Sequence, residues 1–124
     1  MQFISAAGLA PPQGHYSPAV RAGGLVFLSG MLANAPAAGE PDSFEREVRA
    51  VFEQCRHVLA AADCGLEDVV QCTAYIVGIG NWPIFNGIYK DIFGDHKPAR
   101  AVVPVPELHY GRLVEVQLVA AARS

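Results

Sequence analysis

The stretch LVEVQLVAA, residues 113–121, limits what this chain can become more than any other. Side chains alternate between the two faces of a strand, so Val114, Val116 and Leu118 share one face and Glu115, Gln117 and Val119 the other. The first face is wholly apolar and must be buried against helices. The second carries a carboxylate at its middle. The chain therefore needs a sheet with one face packed and the other open or covered by something that tolerates a glutamate.

The preceding sequence supplies the partners. Residues 16–22 and 25–30 read as strands around Gly23-Gly24, and two glycines supply the positive φ values of a tight hairpin. An Ala-, Pro- and Gly-rich loop, 31–41, leads to Asp42, which stands three residues before Glu45 in the pattern of a helix N-cap with its reciprocal partner. Phe44, Val48, Val51, Phe52, Cys55, Val58, Leu59 and Ala62 then fall at helical spacing, and Gly65 is read as the stop. Residues 69–77 form a strand that Gly78–Gly80 breaks. Asn81 is placed as the cap of a second helix with Trp82, Phe85, Ile88, Tyr89 and Ile92 as its buried stripe and Gly94 at its end. Residues 101–105 and 113–121 are strands around a turn near 109–111, with Pro104 marking an edge or a bulge. The predicted order is β-β-α-β-α-β-β over one domain, 1–124, an α+β mixed sheet with two helices on one face.

Composition narrows the function. Charged residues are 17% of the chain, against about 25% in an ordinary soluble domain. A shortage of charge on a small globule points to surface covered by another copy, a homo-oligomer. The net charge is −3, and the nine Lys and Arg residues are scattered, which argues against a nucleic-acid partner. No run approaches the roughly 18 apolar residues of a membrane span. The N-terminus lacks the basic region of a signal peptide. Cys55, Cys64 and Cys72 lie nine and eight residues apart, which fits neither a disulfide framework nor a zinc site, so reduced thiols in the cytoplasm are expected.

Two residues could carry chemistry. Glu115 is either a solvated glutamate on an open sheet face or, if that face is buried between copies, a carboxylate needing a partner or a wet pocket. Arg100 is the nearest partner if 101–105 and 113–121 form a hairpin. It reads equally as a salt bridge or as a guanidinium fork for a ligand carboxylate. His15, His57, His96 and His109 show no metal-ligand spacing, and Ser29 lies outside any GxSxG nucleophile motif.

Four segments together, GHYSPAVRAGGLVFLSG, VLAAADCGLEDVVQCTAYI, FNGIYKDIFG and PARAVV…LVEV, resemble the reactive intermediate deaminase family, RidA/YjgF, from about Gly14 to Ala121. The resemblance implies a chorismate-mutase-like fold, a homotrimer with ligand sites in the clefts between subunits, and hydrolysis of 2-enamines and 2-imino acids such as 2-aminoacrylate to 2-oxo acids and ammonia, with no metal or organic cofactor. It assigns Arg100 to the substrate carboxylate and Glu115 to the attacking water. Tyr16, Ser29 with Gly30, Asn86 and the backbone of Val102 would border the ligand. The sequence departs from the family pattern at His15, Met31, Ala101, Val102 and His109-Tyr110-Gly111, which makes the cleft less polar beside the arginine. A non-catalytic sensor of small carboxylates is the competing expectation. An endoribonuclease, an activity also credited to the family, fits the charge distribution less well.

Overall fold

β7 (Val114–Ala121) lies in the interior of a seven-stranded sheet, with β3 (Leu25–Leu28) and β4 (Met31–Leu32) against one edge and β5 (Val69–Val77) against the other. β1 (Gln2–Ile4) and β2 (Ala19–Ala22) extend the sheet beyond β3, and β6 (Ala99–Val105) closes it beyond β5. This is a computed structural model, and it describes residues 1–8 and 11–123. Helices α1 (Phe44–Ala61) and α2 (Trp82–Phe93) cover one face. The expected order is present, with two short strands added: β1 and the two-residue β4 are too brief to give an alternation signal.

The alternation of β7 decides which face is which. Val114, Val116, Leu118 and Ala120 are fully buried, and so are Cys72 and Ala74 beside them on β5. Against them pack Val48, Val51, Phe52, Cys55, Val58 and Leu59 of α1. Phe52 is the hub of an aromatic cluster, with ring centroids 6.2 Å from Phe85, 5.8 Å from Tyr89 and 5.7 Å from Phe93. Trp82, expected in the buried stripe of α2, is instead 44% exposed at the first turn of that helix.

Turn chemistry places the elements. Gly23 and Gly24 have φ of +59° and +79°, the left-handed pair that a tight hairpin between β2 and β3 requires. The N-cap of α1 is Ser43, whose Oγ accepts from the Arg46 N–H at 3.1 Å, one residue later than expected. Asp42 accepts from the Arg46 guanidinium, which holds its carboxyl below the usual range, and also from Arg112. Helix α1 ends at Ala61, and the chain turns at Asp63, which is left-handed at φ +59°. Gly65 therefore does not stop the helix; it leads into a 3-10 turn closed by Asp68. Asn81 precedes α2 but donates to the Val77 carbonyl rather than capping the helix.

One expectation is overturned. Strands β6 and β7 do not form a hairpin, because β5 lies between them. The segment β5–α2–β6 is a crossover unit that returns β6 parallel to β5 on its free side, pairing Cys72 with Arg100 and Tyr75 with Val103. The chain then passes the end of β5 through the 3-10 turn His109–Gly111 and enters β7 antiparallel on the other side. Pro104 is accordingly found on an edge strand.

The entry to β7 is fixed by a buried acid. Glu47 on α1 is 4% exposed, and its Oε1 accepts the Leu113 N–H at 2.9 Å, while the Leu113 carbonyl accepts from Val77 N at 2.9 Å. Removing the carboxylate orphans a part-buried donor, which costs about 1–3 kcal/mol. Glu47→Ala is expected to lower the unfolding free energy by that amount in urea titrations, through a lower midpoint with the slope unchanged. A loss below 0.5 kcal/mol would show that water replaces the contact.

Candidate functional site

The residues assigned to a site fall into two groups on opposite faces of the sheet. Parity decides this. Glu115 is paired with Tyr75 and Leu32, on the face away from the helices. Arg100 is paired with Cys72, a core residue, so its side chain leaves β6 on the helix side. The two residues are separated by two strand spacings and three residues along the sheet, which puts their Cα atoms about 14 Å apart. They are not each other's partners within one chain, contrary to the hairpin expectation.

The first group is built on a bulge. Strands β3 and β4 are one strand interrupted at Ser29-Gly30: Phe27 pairs with Val119, but Met31 pairs with Val116. Three residues, 28–30, therefore face two, 117–118, and such an insertion re-aims the chain locally. The Glu115 side chain lies against the gap. A Cβ added to Gly30 would come within 2.6 Å of Glu115 Oε2, so glycine is what lets the carboxylate rest there. Ser29 secures the bulge: its Oγ donates to the Ser17 carbonyl at 2.6 Å and its N–H to the Pro18 carbonyl at 3.0 Å. Its hydroxyl is thus committed to the backbone and acts by placing the 16–18 segment. Tyr16, 55% exposed, stands beside Gly30 in a cleft of about 570 Å³ between the N-terminal segment, the 30–35 segment and Tyr110.

The second group lies at the edge of the sheet. The Arg100 guanidinium rests 4.8 Å from the centroid of the Tyr89 ring, and Nη1 donates to Asn86 Oδ1 at 2.9 Å. Asn86 and Tyr89 are one turn apart on α2, so a single helix face holds the group by one hydrogen bond and one cation–π contact. Arg100 forms no ion pair among the described residues, and it is exposed, so its other N–H donors face outward. Below it, burial pushes the Cys72 thiol up to about 12, against the opposing pull of Tyr89 and Arg100. Cys72 is thus a neutral core thiol. Val102 faces the core beside Ala74, and among the described residues no strand lies on the far edge of β6.

Sequence reasoning found the members of both groups but not the bulge or the role of Tyr89, which its spacing marks as core. No signal in the sequence reports the bulge, because it appears only as a register change between paired strands.

With this geometry in hand, the comparisons are specific. The sheet and its two covering helices are the α+β fold of the solved RidA/YjgF structures on which the chain superposes. The chain belongs to that family: the family model described as Endoribonuclease L-PSP matches residues 7–122. It is 31% identical over 121 residues to the 2-iminobutanoate/2-iminopropanoate deaminase of Bos taurus, covering 96% of this chain and 88% of the relative. RidA from an Antarctic Psychrobacter superposes with a TM-score of 0.89 at 29% identity, covering 98% of this chain and 99% of that one. E. coli TdcF with bound serine superposes with a TM-score of 0.89 at 26% identity over 100% of both chains. No helix among the described residues is long and apolar enough to cross a membrane.

The Gly30 contact gives a direct test. A methyl there meets the far end of a flexible side chain rather than backbone, and Gly30 is not left-handed. Gly30→Ala is therefore expected to keep the melting temperature within about 4 °C, a change under about 1 kcal/mol, while displacing the Glu115 carboxylate in a crystal structure of the variant. A collapse in stability would show that the glycine serves the bulge instead.

Proposed function

We propose that the protein is a homotrimeric deaminase that hydrolyses 2-imino acids, and the enamines that tautomerise to them, to 2-oxo acids and ammonia. The observation that carries this reading is the pair of unneutralised groups on opposite faces of one sheet: an anchored guanidinium at Arg100 and a carboxylate shelved on Gly30. The face bearing Glu115 also exposes Phe3 and Phe27 and carries Val20, Val119, Tyr75 and Val103. Such a face favours burial against further copies. A cyclic arrangement would then set the Arg100 edge of one copy beside the Glu115 bulge of the next, consistent with the low charge of the chain.

The chemistry follows from the residues. Arg100, already oriented by Asn86 and Tyr89, receives the substrate carboxylate on its outward donors, a fork that lysine cannot reproduce. This presents the imine carbon to a water held by Glu115. The carboxylate takes a proton as water adds to the C=N carbon, giving a carbinolamine. It returns that proton to nitrogen, and ammonia leaves as the carbonyl forms. One imine and one water become one 2-oxo acid and one ammonia. The name of the bovine relative and the amino acid bound in TdcF both point to ligands of this size and charge. A ribonuclease reading finds less support, because the chain has a net charge of −3.

Two measurements test this. Light scattering is expected to give three times the chain mass of 13.2 kDa, and a monomer would sink the shared site. Glu115→Gln should lower imine turnover by about 10²-fold or more while binding of a 2-oxo acid persists, whereas Arg100→Ala should lose both. Co-refolding the two variants in equal amounts should restore about a quarter of parental activity, since a symmetric interface then pairs an intact arginine with an intact glutamate at about that frequency. No recovery would place both residues in one chain's site.

A further inference from the structure

The cleft next to Glu115 is larger and more apolar than a two-carbon imine side chain needs. Gly30, whose Cα faces the Glu115 carboxylate, lines it, and so does Leu32, the register partner of Glu115, so the cleft begins one residue away from that carboxylate. At about 570 Å³ it falls in the range of pockets that enclose whole drug-sized ligands. Two of its larger polar side chains are already engaged. Arg112 is tied to Asp42 at 3.1 Å, and Gln54 bonds the Leu32 carbonyl at 3.0 Å and the Asn34 N–H at 2.8 Å. Much of the rest of the lining is apolar, with Pro11, Pro12, Pro18, Met31 and Ala33 beside the polar Ser5, Gln13 and Asn34.

Two aromatic rings complete this cleft, and one is held there against its backbone preference. Tyr110 adopts φ +61° and ψ +23°, a left-handed conformation unusual for a bulky side chain. The following Gly111 is also left-handed, at φ +65°. The ring is 75% exposed, so core packing does not explain the conformation. The turn instead carries Tyr110 to the cleft, where its hydroxyl reaches Gln13 Oε1 at 3.4 Å, across from Tyr16. Strained backbone of this kind clusters at ligand sites and switch segments.

Resting on the deaminase reading above, we infer that the preferred substrates carry a large apolar side chain, aromatic or branched, and that Tyr110 is the residue that selects for it. The side chain would lie between Tyr16 and Tyr110 while Glu115 works on the imine carbon at its root.

The test compares imines generated in situ by an L-amino-acid oxidase from alanine, leucine and phenylalanine, followed by release of ammonia and 2-oxo acid. The phenylalanine-derived imine is expected to exceed the alanine-derived one in kcat/KM by at least about tenfold, because each added buried methylene is worth about fourfold. In Tyr110→Gly, which removes the ring and relieves the left-handed backbone, that ratio should fall at least about fivefold with no loss of melting temperature. Ala35→Phe, which places a ring in the cleft from its exposed rim, should narrow the ratio in the same way. Equal rates for the three imines, or a ratio untouched in Tyr110→Gly, would overturn the inference and leave the deaminase reading standing. If no imine is turned over, that reading fails instead. Calorimetry of phenylpyruvate against pyruvate then decides the side-chain preference alone, tighter phenylpyruvate supporting it and equal affinity refuting it.

Discussion

The architecture depends on β7 being held in the middle of the sheet. It is the strand against which β3, β4 and β5 all align, and its entry is fixed by the buried Glu47 carboxylate on Leu113. A shift of one residue there would send Val114, Val116 and Leu118 to the open face and Glu115 into the core, an exchange of apolar burial for a buried charge. The helix-to-strand contact therefore does more than stabilise. It determines that the glutamate emerges opposite Tyr75 and over the bulge at Ser29-Gly30.

The two groups are built on different logic. Glu115 is placed by backbone geometry: a bulge, a missing Cβ, and a serine that bonds main chain rather than ligand. Arg100 is placed by side chains from α2, an amide and a ring face. Both arrangements position the charged end without an ion pair among the described residues, which suits groups that meet a ligand only when it arrives.

Much of this was legible in the sequence, and the limits have physical reasons. The alternation in 113–121, the glycine pair at 23–24 and the helical spacing from Phe44 to Ala62 are local patterns, and each forms the element it predicts. Strand order is not local. Whether 101–105 pairs with 113–121 or with 69–77 depends on where the crossover through α2 lands, and the segment is compatible with either. The face of Arg100 follows from that pairing, since opposite Cys72 it points toward the helices. The bulge leaves no trace in composition because it exists only as a difference between two registers. Ser29 is expected from the sequence to border a ligand, but its hydroxyl turns inward to Ser17. Tyr89 looked like core and is core, yet its ring face also carries the arginine.

The outer edge of β6 has a consequence for the chain as a single copy. A seven-residue strand with one side unpaired is a template for any other strand, and a freshly made copy presents it to the solvent. Two residues blunt it: Pro104 lacks a backbone donor, and Arg100 sets a positive charge near its start. The guanidinium thus acts as a gatekeeper against fibrous stacking, a duty that selection on solubility would preserve whatever else the side chain does.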